Sequence, residues 1–209
     1  MARGQTQRTA TVGVTEHGNS AVLVAVASDG QLLDRRRVDL TDRELPTHPH
    51  HHEGSWAVGR YINSPWAREI SLAEAIELVE RVRQSAARGA RDHLKALAAS
   101  LSIPISSIAI RICPVVPPTT EECITDNHVQ TFADSVMYRM ALATAAEARG
   151  WSVYWYDRKL VFLEAATTFD CEDIDGLLLG MGRSIGPPWQ ANHKLATAAA
   201  LAATEKPAL

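Results

Sequence analysis

Apolar and polar residues alternate from Thr9 to Thr15, with Ala10, Val12 and Val14 on one side, which is the period of a strand. Gly18-Asn19 reads as a turn. Ala21 to Ala27 is then nearly continuous in apolar residues, as a strand covered on both faces requires. Asp29-Gly30 is a two-residue hairpin signal, so Leu32 to Leu40 is expected to return as a third strand. Here the alternation stops. Thr41 to Ile70 is rich in His, Pro, Gly and Trp and is long for a connection.

Helical spacing takes over at Ser71, which forms the signature of a capping box with Glu74. Leu72, Ile76, Val79, Val82, Ala86, Ala90, Leu94, Leu97 and Leu101 keep one stripe, with Gly89 as an expected bend and Pro104 as the stop. Ser107 to Cys113 predicts a fourth strand, halted by Pro114, Pro117 and Pro118. A loop carrying Glu121, Glu122 and Asp126 leads to a second helix, whose inner face is expected at Phe132, Val136, Met140 and Ala143 and which Gly150 ends. Trp151 to Tyr156 predicts a fifth strand. Helical pieces follow at Leu160 to Ala166 and Glu172 to Met181. After Gly186-Pro187-Pro188 comes an alanine-rich helix from Ala191 to Ala203. Residues 1–8 read as a polar arm, and 9–205 as a single domain with a His/Trp-rich insertion at about 41–70. The order βββαβαβα implies an α/β domain: a mixed five-stranded sheet with helices on both faces.

Composition narrows the class only a little. The chain has 209 residues, 46% of them hydrophobic, and a net charge of −3, which excludes a uniformly basic nucleic-acid coat but not a local basic groove. Three cysteines without a CxxC spacing read as reduced thiols of a cytoplasmic protein. The opening MARGQTQRTA has no apolar run, so no secretory signal is expected. No stretch reaches the length of a membrane span. Neither a P-loop nor a strand-to-helix GxGxxG is present; Gly180-Met181-Gly182 follows a helix.

The element order resembles the RNase H-like fold, and several segments resemble RuvC-type Holliday-junction resolvases in particular. IAIRICP (Ile108 to Pro114) stands where that family has its fourth strand. ADSVMYRMALATAAEARG (Ala133 to Gly150) is similar to the helix after it. WSVYWYDRKLVFLEAA and IDGLLLGMGRSIGPPWQANHKLATAAALA resemble the family's closing elements, and TVGVTEHGNSAVLVAV its first strand and turn. The first half also fits an actin-like or sugar-kinase ATPase domain, but the opening Asp and Gly-rich turn of those proteins are missing from Thr15 to Ser20.

The resemblance implies two Mg²⁺ ions held by four carboxylates, or three with a histidine, clamping a phosphodiester. This chain departs from that pattern. The first acidic position falls on Thr15, with Glu16 beside it, the second on or near Arg111, and the last two near Asn192 and Leu195, with His193 adjacent. An arginine repels the cation that a carboxylate there would bind. A two-metal nuclease is therefore not expected. The expectation is a degenerate RuvC-like protein that binds nucleic acid or a protein partner and forms a homodimer, as the resembled family does. Its rivals are a divergent enzyme with a rebuilt site and a purely structural oligomer.

Candidate catalytic residues are Glu16, Arg111, Asp157 and His193, with His17, Arg158 and Lys194 as candidate ligand-binding residues. In this fold they fall at strand ends or at the start of the last helix. A Glu–His–Arg set suits a phosphate or carboxylate, Arg111 giving bidentate contacts. The plainer reading pairs Arg111 structurally with Asp157 or Glu16. In HPHHHEG (His48 to Gly54), His50, His52 and Glu53 are candidate ligands for Zn²⁺ or another divalent ion, although such runs are commonly ordinary loop residues. Trp56, Tyr61 and Trp66 suit either a partner surface or the core. Arg35, Arg36 and Arg37 suit either a phosphate stripe or a salt-bridged edge.

Overall fold

The computed structural model describes residues 8–204. β1 (Ala10–His17), β2 (Ser20–Ala27) and β3 (Leu32–Asp39) pair antiparallel in succession. β4 (Ile105–Arg111) joins parallel to β1, and β5 (Ser152–Tyr156) parallel to β4. The sheet order is β3-β2-β1-β4-β5, a mixed five-stranded α/β arrangement as expected. β1 and β2 occupy its interior and are almost wholly buried. This explains why β2 is a continuous apolar run and not an alternating one.

Helices cover both faces. On one lie α2 (Leu72–Ser100) and α4 (Gln130–Glu147), packed over Val12, Val14, Leu23, Ile108 and Ile110. α2 begins at the expected capping box of Ser71 and Glu74. On the other face lie α5 (Val161–Phe169), α6 (Ile174–Ile185) and α7 (Ala191–Ala202), which bury Val22, Val24 and Val26. Two short helices fall outside the expected element list. α1 (Glu53–Ala57) lies inside the insertion, and α3 (Thr120–Thr125) replaces the expected acidic loop. Thr119 and Glu122 form a capping box at the start of α3, so the acids there serve a helix terminus.

α7 approaches β1 more closely than side chains would permit. A Cβ built on Gly13 would sit 1.7 Å from the Ala196 carbonyl oxygen. Gly13 and the alanines of α7 therefore act together: no side chain intervenes, and backbone meets backbone. Gly89 plays a similar part and does not bend its helix. A Cβ there would sit 2.2 Å from the Leu40 carbonyl oxygen, and α2 runs unbroken past it.

The expected inner face of α4 needs correction. Val136 and Ala143 are buried, but Met140 is 45% exposed. Gln130, Asp134, Tyr138 and Arg139 are buried instead, because this helix is enclosed by the sheet on one side and by the insertion on another. Of the expected arm, residues 1–7 lie outside the described residues; Arg8 is paired with Asp29 at 2.8 Å.

Gly13→Ala is expected to destabilise the fold by roughly 3 kcal/mol, the upper part of the usual overpacking range, since the obstacle is backbone that cannot change rotamer. Urea unfolding measures this, and a loss below about 1 kcal/mol would show that α7 slides freely.

Candidate functional site

β1, β4 and β5 are parallel, so their carboxyl ends share one edge of the sheet, where sites in α/β folds form. A pocket of about 420 Å³ opens there. Thr15, Arg111, Asn192 and Leu195, on or near which the resemblance would put metal ligands, all line it. Glu16, His17 and Tyr156 join them from the strands, Arg158 from the turn after β5, Arg139 from α4 and His48 from the insertion. The Thr15 hydroxyl donates to the Asn192 carbonyl at 3.1 Å and ties β1 to the first turn of α7. The Tyr156 hydroxyl donates to the Val14 carbonyl at 2.8 Å. Burial, and then the Glu16 carboxylate, push its pKa up, so it stays a donor.

One carboxylate lines this pocket, and it is already engaged. Arg139 Nε donates to Glu16 Oε1 at 2.7 Å, Nη2 donates to the same oxygen, and Nη1 donates to the Ile112 carbonyl at 2.9 Å. Both side chains are 6% exposed. The guanidinium thus joins α4 to the ends of β1 and β4. Arg111 and Arg158 have no ion-pair partner among the described residues, so the expected pairing of Arg111 with Asp157 or Glu16 does not form. Burial pushes the His48 imidazole pKa down, which keeps that ring neutral at pH 7. The result is a pocket with two free guanidinium groups and one neutralised carboxylate. Such a donor set does not fit a pair of Mg²⁺ ions, which need several anionic oxygens.

The other candidates fall nearby or apart. His193 lines an adjoining pocket that shares Thr15, His17 and Asn192 with the first. Its Nδ1 accepts from the Gln190 N–H at 3.1 Å, and its ring stacks on Trp189. Burial pushes its pKa down. Lys194 lies in a separate, outer depression with Trp189. Asp157 accepts from the Lys159 N–H at 2.7 Å, a turn contact before α5. Arg37 reaches the adjoining pocket, donates to the Ser20 hydroxyl and stands 3.9 Å from Asp39. Arg35 instead holds the Gly186 carbonyl at 2.9 Å, and Arg36 pairs with Asp34. Only Arg37 of the three is therefore placed to extend a phosphate track.

The histidine run is divided among separate partners. His50 is 2% exposed, and its Nδ1 lies 2.8 Å from Asp134 Oδ1. The backbone N–H groups of His50 and His51 donate to the same carboxylate, each at 3.1 Å. His52 lies over the Trp56 ring. Glu53 is 5% exposed, and burial pushes its carboxyl pKa up. Among the described residues no group of three or more His, Cys, Asp or Glu side chains is placed to hold a metal ion. Trp56 is buried, whereas Tyr61, Ile62 and Trp66 are 61%, 60% and 69% exposed.

Asp134 and Arg139 were absent from the sequence-based candidates. The signal is in the sequence: they are the two charged residues in the run from Phe132 to Ala146, which is otherwise mostly small and apolar. Five positions apart, they cannot satisfy each other and must find partners on other elements.

No family model matches the sequence, and no curated protein matches it. Among solved structures, "T. thermophilus RuvC in complex with Holliday junction substrate" is 15% identical, covering 93% of this chain and 91% of that one with a TM-score of 0.49. "Thermus thermophilus RuvC structure" is 14% identical, covering 93% and 92% with a TM-score of 0.46. This is a remote likeness. The chemistry of the pocket follows from its own side chains.

Arg139→Ala leaves a buried carboxylate unpaired and should destabilise the protein by about 3–5 kcal/mol, while the double change Glu16→Leu, Arg139→Met recovers most of that loss. Denaturant midpoints of the two variants decide this; equal losses would refute it. Glu53→Gln should act in the opposite direction. With its folded-state pKa raised, Glu53 makes stability fall as pH rises from the unfolded pKa through the folded one. The glutamine variant should therefore melt roughly 2–4 °C higher at pH 7, equivalent to about 1 kcal/mol at this size. The gain should vanish well below the ordinary glutamate pKa of 4.5, as thermal melts across pH will register.

Proposed function

We propose that this protein binds the phosphodiester backbone of a nucleic acid at the carboxyl edge of its sheet and does not cleave it by two-metal chemistry. The carrying observation is the charge of the pocket: Arg111 and Arg158 are unpaired among the described residues, and Glu16 is held by Arg139. A guanidinium fork matches two phosphate oxygens at once. The first turn of α7, with Asn192 in the pocket, presents backbone N–H groups and the positive end of the helix dipole to the same anion. Arg37 and the neutral donors of the adjoining pocket continue the surface toward β3. This matches a chain whose net charge is negative overall and whose binding cations are concentrated at one edge.

In this reading each pocket residue has a role. Arg111 and Arg158 receive the phosphate, Asn192 and Thr15 set the pocket floor, and Glu16 serves as counter-ion to Arg139 and not as a metal ligand. The solved complex of a similar fold with a Holliday junction makes branched DNA the first probe to try. A second reading, self-association through the insertion, is favoured by the exposed Tyr61, Ile62 and Trp66.

Fluorescence anisotropy with labelled four-way, duplex and single-stranded DNA should show binding that weakens steeply between 50 and 200 mM salt. Arg111→Ala, Arg158→Ala should weaken it at least tenfold and flatten the salt slope by about 2. Absence of salt-sensitive binding would refute the proposal, and Mg²⁺-dependent cleavage of any of the three would refute its second half.

A further inference from the structure

A second cleft, of about 370 Å³, lies away from the sheet edge, between α1 of the insertion and α2. Its composition is unlike that of the first pocket. Glu53, Glu69, Glu74 and Glu77 line it against Arg68 and Arg81, so carboxylates outnumber guanidinium groups four to two. Glu74 is committed to the cap of α2, whereas Glu53 has only the loose ion-pair contact with Arg68. The Glu53 side chain is 6% exposed, and its Oε2 is buried without a hydrogen-bond partner among the described residues. A buried acceptor left unmade is unfavourable, and more so when charged.

The nearest cation satisfies it poorly. Arg68 Nη2 stands 3.9 Å from Glu53 Oε1, beyond hydrogen-bond reach, and the Arg68 side chain is 76% exposed. Its guanidinium carbon lies 5.9 Å from the centre of the Trp56 ring. A flat cation over an indole face, beside a desolvated carboxylate, is the recognition geometry for a guanidinium group. Arg68 fills that position from the rim without completing its hydrogen bonds.

We propose that the cleft is a binding site for an alkylguanidinium cation, which stacks on Trp56, donates to Glu53 and displaces Arg68. A compact metal ion is the poorer occupant, because no cluster of metal-binding side chains forms there among the described residues and an indole face offers it no ligand. The cation could belong to a free small molecule or to an arginine of another chain; the chemistry of recognition is the same. This inference is independent of DNA binding, since the two clefts share no residue.

Isothermal titration of the full chain with agmatine, a free alkylguanidinium, and with the peptide Gly-Arg-Gly tests it. Arg68→Ala should bind agmatine at least tenfold more tightly than the unaltered protein, because the resident competitor is gone. Adding Glu53→Gln should abolish that binding while the thermal midpoint stays at or above that of Arg68→Ala alone. Tighter binding of the peptide would assign the cation to a partner chain, and tighter binding of agmatine to a small molecule; either supports the site. No heat from either probe with Arg68→Ala, or binding that survives Glu53→Gln, would overturn it.

Discussion

The pocket exists because α7 rests directly on β1. Where Gly13 meets the Ala196 carbonyl there is no room for a side chain, and the two backbones set their own separation. That contact brings the first turn of α7 level with the end of β1, so Asn192 and Leu195 face Thr15 and not solvent. It also spaces the layers, since β2 must pack under the same helix. Positions from the two ends of the chain become one site through this contact, and the fit depends on small residues on both sides.

The sheet edge carries two guanidinium groups in the open and its one carboxylate in the interior. Burying Glu16 with Arg139 removes two charges from water, a penalty repaid only by good geometry and further hydrogen bonds. Arg139 supplies these with three donor atoms, one of them satisfying the Ile112 carbonyl. The pair thereby fixes α4 to the strand ends while leaving Arg111 and Arg158 to act on whatever enters.

The framework was legible in the sequence wherever one segment carried its own signal. The Ala21 to Ala27 run and the Ser71–Glu74 box were legible because strand burial and capping are local matters. The hairpin was legible too, but its turn spans Ser28 to Gly30, with the Gly30 N–H donating to the Ala27 carbonyl, and is not the two-residue Asp29-Gly30 turn. Of the candidates at strand ends and at the start of the last helix, Glu16, His17, Arg111 and Arg158 share one pocket, His193 lines the adjoining one and Lys194 an outer depression. Pairing was not legible. Glu16 finds a partner 123 positions away on α4, and His50 one 84 positions away on the same helix. Nothing within either segment indicates those partners. Met140 was assigned to the inner face by its spacing alone. The insertion made Asp134 interior, the ends of β1 and β4 did the same for Arg139, and Met140 was left outside. His193, adjacent in sequence to Asn192, turned to the neighbouring pocket because consecutive helical residues diverge by about 100°.

α4 carries more than one responsibility. Asp134 grips the insertion through two backbone N–H groups and an imidazole, and Arg139 grips the end of β1. The insertion in turn supplies His48 to the pocket wall. Wall and floor are thus bolted to a single helix at points about 7.5 Å apart along its axis. The mouth of the site behaves as a calliper with a fixed jaw: its gape is a property of α4, and loops that border it inherit their position from that one rigid rod.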